Sequence, residues 1–98
     1  MSTDRELLEL AAKAAGIAFE FCRPELGGCL AGGRWWNPLT DDGDALRLAV
    51  KLRLIVEPGA CWISKHGPAF GEDVLAGVMT ATRRAIVRAA AEIGRAME

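Results

Sequence analysis

The sequence predicts an α+β fold in a single domain over residues 1–98. We expect an antiparallel sheet of about five short strands with helices packed on one face, in the order α-β-β-β-α-β-β-α. Two observations lead to this prediction. A chain of 98 residues is too short to divide its apolar side chains between two stable cores. Apolar residues recur with helical spacing in three segments, and short apolar runs bounded by glycine or proline lie between those segments.

A first helix is expected over about residues 4–15. Thr3 and Glu6 have the spacing of a capping box, which satisfies backbone amides at a helix start. Gly16 is suited to a left-handed stop at the other end. The apolar stripe between these signals consists of Leu7, Leu8, Ala11, Ala14 and Ala15.

Three strands are expected next. Phe19 and Phe21 alternate with other residues as in a half-buried strand, and both phenylalanines are predicted to face the core. A Gly-Gly pair at 32–33 then separates two short strand candidates. Such a pair favours a tight hairpin, because both turn positions need a positive φ.

A second helix is expected after Asn37 and Pro38, extending to about Leu52. Residues 40–44 supply capping side chains, and their carboxylates lie where the helix dipole favours negative charge. Its exposed face is predicted to carry Arg47 and Lys51, which are four residues apart. The predicted buried face consists of Leu46, Ala49, Val50 and Leu52.

A second hairpin and a long helix complete the pattern. Residues 54–56 and 61–63 flank the turn residues Pro58 and Gly59, and a loop containing His66 and Gly71 follows. Helical spacing then continues almost to the end of the chain. The side chains predicted to pack on the sheet from this last helix are Leu75, Met79, Ile86 and Ile93.

The composition argues against several classes of function. Twelve basic and 13 acidic side chains give a net charge of −1, whereas nucleic-acid-binding proteins are usually basic, so direct sequence-specific binding to nucleic acid is not expected. No apolar run is long enough to span a membrane, and the first six residues lack the pattern of a secretory signal. We therefore expect a cytoplasmic protein that does not bind membranes.

The cysteines and the single histidine do not form a recognisable metal motif. Cys22, Cys29, Cys61 and His66 could supply a zinc set, but their spacing lacks the tight knuckles of most structural zinc modules. An odd number of cysteines at loose spacing predicts reduced thiols. We expect neither a metal nor a cofactor.

No segment carries a catalytic signature. A cysteine nucleophile paired with His66 would need an orienting group and an oxyanion site, and nothing in the sequence supplies them. The glycine pairs at 27–28 and 32–33 lack the lysine and the helix of a phosphate loop. Asp41, Asp42 and Asp44 fit helix capping better than a cation site. The sequence therefore predicts a protein that is not an enzyme.

Two groups of residues are candidates for binding. Trp35 and Trp36 are adjacent in a predicted strand, so a one-sided core can bury only one of the two indoles. Loops, a second copy of the chain, a partner protein or a stacked nucleobase could each cover the other. Arg83, Arg84 and Arg88 give the last helix a basic flank, which is either a solvated face or a surface for an anion or an acidic partner.

A symmetric homodimer is expected as well. Burial is marginal in a chain of this size, and one of the two adjacent indoles needs a cover. Pairing of two identical surfaces is the commonest form of oligomer and needs no other gene product.

Three segments, residues 3–16, 36–49 and 81–94, together resemble a family of small accessory proteins encoded by tailed phages and prophages of proteobacteria. The family has no assigned catalytic residues, so the resemblance implies a biological context and no site. Between residues 60 and 79 the chain departs from the pattern of that family.

A phage origin implies a protein that acts by occupying a component of its host. The first hypothesis is a binding protein that inhibits a host defence complex, in the manner of anti-CRISPR proteins, with Trp35 or Trp36 as its anchor. The alternative is an oligomeric sponge that sequesters a nucleotide signal through Arg83, Arg84 or Arg88 and an indole. A structural or regulatory phage protein is the third possibility.

Overall fold

A computed structural model describes residues 3–23, 28–65 and 67–97. These residues form three α-helices, six short strands and one 3₁₀ turn. In chain order the elements are α1 (Asp4–Ala15), β1 (Phe19–Arg23), β2 (Gly28–Ala31), β3 (Arg34–Trp36), α2 (Asp42–Leu52), β4 (Ile55–Glu57), β5 (Ala60–Trp62), β6 (Ala69–Gly71), the 3₁₀ turn (Val74–Ala76) and α3 (Val78–Ala96).

The predicted α+β class and the order of its elements are confirmed, but the strands form two sheets of three instead of one sheet of about five. One antiparallel sheet has the order β1-β2-β3 and the other has the order β4-β5-β6. The additional strand, β6, lies in the segment predicted as a loop. It pairs with β5, with Phe70 opposite Cys61. Three residues are too few to show an alternating pattern, so β6 could not be read from the sequence.

The signals at both ends of α1 act as expected. The amide of Glu6 donates a hydrogen bond to the Thr3 hydroxyl over 3.2 Å, and that hydroxyl donates in turn to the Glu6 carboxylate. Gly16 ends the helix with φ at 70°, where a residue with a Cβ would be strained. The helix therefore has the predicted bounds.

The prediction that Phe21 faces the core is wrong, because a β-bulge precedes this residue. Phe19 pairs with Ala31, but Phe21 pairs with Leu30, so one extra residue of β1 lies between the two pairs. An extra residue reverses the faces to which the following side chains point. Phe19 packs against the core as predicted, whereas Phe21 is exposed on the outer face of the sheet.

The buried face of α2 also differs from the prediction. Ala49 is buried and Leu52 packs against the core as predicted, but Leu46 and Val50 are both more than 60% exposed. The helix also buries Asp44, Ala45 and Leu48. The apolar stripe alone does not set the rotation of this helix. Asp44 accepts a hydrogen bond from the Asn37 amide over 2.9 Å, and that polar contact turns the face bearing Asp44 inward.

The last helix lies at the centre of the molecule, packed against α1, α2 and the β4-β5-β6 sheet. Ile86 is buried and Ile93 half-buried, in agreement with the prediction. Leu75 and Met79 are 91% and 57% exposed, so their predicted packing is wrong. Gly77 interrupts the helical pattern, and α3 starts only at Val78. The alanines that dominate the buried face of α3 are Ala81, Ala85, Ala89, Ala90 and Ala91.

The prediction of reduced thiols is wrong for Cys29, which is disulfide-bonded. The sheet register places Cys22 opposite Cys29, and the side chain of Cys22 lies outside the described residues. Cys61 is a free and buried thiol. Spacing along the sequence gives no sign of the strand register that brings positions 22 and 29 together.

Candidate functional site

The outer face of the β1-β2-β3 sheet carries three apolar side chains in a line. Phe21 pairs with Leu30, and Leu30 pairs with Trp35, so the three lie side by side across the strands. The rings of Phe21 and Trp35 meet edge to face, with centroids 6.3 Å apart and planes at 88°. We call these three residues the outer row.

The two adjacent tryptophans point to opposite faces, as predicted. Trp36 is 6% exposed and packs in the core opposite Cys29, whereas Trp35 is 44% exposed within the outer row. Isolated exposed apolar residues are normal on a protein surface, but an aromatic pair beside a leucine makes a continuous apolar patch. Among the described residues, Trp35 is therefore the exposed indole of the pair.

Arg83 joins α3 to the start of α2. Its Nη1 donates to the Asp42 carboxylate over 2.6 Å, and its Nε donates to the carbonyl of Leu39 over 2.9 Å. The Arg83 side chain is only 16% exposed. Most of its hydrogen-bonding capacity is directed at its own chain.

Arg84 and Arg88 hold α3 against the elements on its other side. Arg84 pairs with Asp4 over 2.9 Å and approaches Glu72 at 3.7 Å. Arg88 pairs with Glu72 and also donates to the carbonyl of Gly71 over 2.9 Å. These contacts connect α3 to the start of α1 and to the end of β6. The carboxylates of Asp4 and Glu72 balance the positive charges of the two arginines.

The structure does not bring the predicted tryptophans and arginines to one cleft. Trp35 and Trp36 line a cleft beside Asn37 and Asp41. Arg84 and Arg88 line another one beside Phe70 and Glu72. A site that used an indole and this arginine flank together would need a second copy of the chain.

A third cleft, of about 270 Å³, was missed by the sequence analysis. It lies between the end of α1, the β2-β3 hairpin and α2, and three cations line it: Arg34, Arg47 and Lys51. Arg47 and Lys51 were recognised as an exposed pair on α2. Nothing in the sequence shows that Arg34 lies next to them, because that proximity depends on how the hairpin packs against the helix.

The described residues do not form a metal site at the cysteines. In the described part of the chain, no three or more histidine, cysteine, aspartate or glutamate side chains are grouped as metal ligands. His66 and the side chain of Cys22 lie outside the described residues. Burial raises the pKa of the Cys61 thiol from 9.0 to about 11, and a backbone hydrogen bond at Trp62 offsets part of this rise.

Cys61 is expected to resist alkylation in the folded protein. A pKa near 11 reduces the thiolate fraction about a hundredfold relative to a thiol with a pKa of 9, and the thiolate is the reactive form. Treatment with iodoacetamide at pH 8, followed by peptide mass spectrometry, should leave Cys61 unmodified until denaturant is added. Rapid modification of the native protein at pH 8 would contradict this assignment.

Comparison of the chain with protein-family models, curated protein sequences and solved structures finds no match. None of the helices in the described residues combines the length and the apolar character needed to span a bilayer.

Proposed function

We propose that this chain is a phage-encoded binding protein that inhibits a host defence system by binding one of its proteins through the outer row. The observation that carries the proposal is the exposed aromatic pair of Phe21 and Trp35. The biological context comes from the resemblance of residues 3–16, 36–49 and 81–94 to small phage accessory proteins. The proposed site of action is the cytoplasm of the infected cell.

The outer row has the properties of an interface anchor. Tryptophan is enriched among the few interface residues that supply most of the binding energy, because a large rigid side chain is desolvated at small entropic cost. The edge-to-face contact with Phe21 restrains the indole before a partner arrives. Such restraint lowers the cost of ordering the side chain on binding.

An acidic residue stands beside this apolar row. Glu20 is exposed on β1 directly before Phe21, whereas Arg34 points to the face of β3 opposite Trp35. Charges at the rim of an interface mainly increase the association rate and help to select the partner. An apolar centre beside an acidic residue suits a folded protein surface better than a polyanion.

The arginine flank gives less support to a nucleotide sponge. Arg83, Arg84 and Arg88 already bind carboxylates of their own chain, so an incoming phosphate would have to displace those partners. A sponge also needs a symmetric oligomer that brings an indole to this flank. The sponge therefore remains the second hypothesis. In the third hypothesis, a structural or regulatory phage protein, the outer row would bind a partner other than a defence protein.

Replacing Trp35 with alanine is expected to abolish inhibition while leaving the fold intact. The protein would be expressed in bacteria that carry a defence system, and the plating efficiency of a phage restricted by that system would be measured. Wild type should restore plating, Trp35→Ala should lower plating about tenfold or more, and Trp35→Phe should retain most of the effect. Leu46→Ala is the matched control, since it removes an exposed apolar side chain from α2.

Affinity purification separates the hypotheses. The proposal requires the tagged protein to co-purify with one host defence protein in a stoichiometric ratio, and Trp35→Ala to lose that protein while Leu46→Ala retains it. A protein that instead carries a compound absorbing near 260 nm, with no protein partner, would favour the sponge. Equal capture by wild type and Trp35→Ala would refute the outer row as the binding site.

A homodimer is the other proposed occupant of this face, and light scattering distinguishes it from a host protein. A free monomer at high concentration supports a foreign partner on the outer row. A dimer that dissociates on the change Trp35→Ala would show that a second copy covers the indole in the absence of the host target.

A further inference from the structure

The cleft lined by Arg34, Arg47 and Lys51 combines a cationic rim with an apolar floor. We call it the cationic cleft. Its rim carries three positive charges, and no aspartate or glutamate is among the described residues that line it. The remaining lining residues are small or apolar: Ala15, Ile17, Ala31, Gly32, Trp36 and Leu48.

A buried carboxylate holds two of the cations in position. Asp44 is 7% exposed at its side chain, and its Oδ1 accepts from Nη2 of Arg34 at 3.3 Å and from Nη2 of Arg47 at 2.7 Å. The other oxygen, Oδ2, accepts the Asn37 amide at 2.9 Å. Both guanidinium groups are thereby anchored through one nitrogen, which leaves their other N–H groups available to a ligand.

The positive charge at the rim exceeds what Asp44 neutralises. One carboxylate faces two guanidinium groups, and a second carboxylate, Asp41, approaches Arg47 only at 3.9 Å and lines a different cleft. Lys51 forms no ion pair within the described residues. Its ammonium group adds a positive charge that no carboxylate of the described residues pairs with, so the rim attracts anions.

The end of α1 only partly opposes this attraction. The last carbonyls of a helix carry partial negative charge, and α1 ends beside the cleft at Ala15. The carbonyl of Ala12 accepts the amide of Ile17 over 2.9 Å, and the carbonyl of Lys13 accepts the amide of Gly16 over 3.1 Å. These hydrogen bonds satisfy two of the four terminal carbonyls of α1 and reduce the repulsion of an anion.

We propose that the cationic cleft binds a small organic anion with one phosphate or carboxylate group attached to a single apolar ring. The anionic group would lie between the two arginines and Lys51, where charge-assisted hydrogen bonds are available. The ring would lie on Trp36 and Leu48 at the floor. A volume of about 270 Å³ is just below the usual range for sites that take drug-sized ligands, so a larger ligand such as a cyclic dinucleotide does not fit.

Titration with phenyl phosphate, followed by ¹H–¹⁵N NMR spectroscopy, tests this site. Saturable shifts are expected at the Trp36 indole N–H and at the backbone amides of Ala31 and Gly32, with little change at the Trp35 indole. Inorganic phosphate, which lacks the ring, should bind about tenfold more weakly, because it cannot use the apolar floor.

Two variants test the cationic rim, and a third serves as control. Lys51→Gln removes the cation that forms no ion pair among the described residues and should weaken phenyl phosphate binding about tenfold. Arg34→Gln should weaken it by a similar factor, while Arg47 retains its bond to Asp44. Lys65→Gln removes an exposed lysine that does not line the cleft and should leave binding unchanged.

Three outcomes would overturn the proposal. They are the absence of saturable shifts at the cleft, equal affinity for inorganic phosphate and phenyl phosphate, and equal weakening by Lys51→Gln and Lys65→Gln. The proposal does not depend on the outer row, since Trp35→Ala should leave phenyl phosphate binding unchanged. Its failure and the failure of the proposed inhibition are therefore distinguishable.

Discussion

Replacing Gly94 with alanine is expected to destabilise the protein by about 3 kcal/mol or more, the upper end of the cost of overpacking a core. A Cβ at this position would lie 2.8 Å from the carbonyl carbon of Leu10 and closer still to its oxygen. The obstacle is the backbone of α1, which cannot move aside as a side chain can. The gain in helix propensity from glycine to alanine, about 1 kcal/mol, is too small to compensate.

Urea denaturation followed by circular dichroism measures this loss. Gly71→Ala is the control, because a Cβ there would meet no atom within 4 Å and Gly71 does not have a positive φ. The control should change stability by less than about 1 kcal/mol. If Gly94→Ala proves as stable as the control, α1 and α3 are not packed at the distance described here.

The role of Gly94 explains why the sequence predicts α3 and misses its packing. The apolar spacing shows that a helix exists, and buried Ile86 follows that spacing. The close approach of α1 depends on the absence of a side chain opposite the backbone of Leu10, and apolar spacing does not reveal that contact. Only the three-dimensional contact distinguishes Gly94 from the other glycines.

Local signals were reliable where a few neighbouring residues determine the structure. Thr3, Glu6 and Gly16 set the bounds of α1, and the glycine pair at 32–33 has φ of 62° and 78°, as the predicted hairpin turn requires. Predictions failed where a contact between distant residues decides the outcome. The bulge before Phe21 and the burial of Asp44 are both of this kind.

The candidate sites were also predictable only where neighbouring residues determine the geometry. The opposite orientations of Trp35 and Trp36 follow from the geometry of any strand, so the exposed indole was foreseeable as one member of the pair. The bulge that places Phe21 beside Trp35 was not foreseeable. The cationic cleft was missed because the contact between Arg34 and Asp44 joins a strand to a helix.

Replacing Asp44 with alanine is expected to destabilise the protein by about 2 to 3 kcal/mol, because a buried acceptor of charge-assisted hydrogen bonds is lost. Three donors converge on this carboxylate, namely the amide of Asn37 and the side chains of Arg34 and Arg47. Without it, the two guanidinium groups repel each other, and the Asn37 amide loses its acceptor. The exposure of both arginines to water keeps the cost below that of a fully buried ion pair.

Asp42→Ala is the matched control for Asp44→Ala. Asp42 also lies in the first turn of α2 and also pairs with an arginine, Arg83, at 2.6 Å, but its side chain is 62% exposed. Both variants lose a favourable charge at the helix start, so the helix dipole contributes similarly to each. Because the Asp42 carboxylate is exposed to water and the Asp44 carboxylate is buried, Asp44→Ala should unfold at clearly lower urea concentration than Asp42→Ala. Equal midpoints would mean that burial of the Asp44 carboxylate does not hold the β2-β3 hairpin against α2.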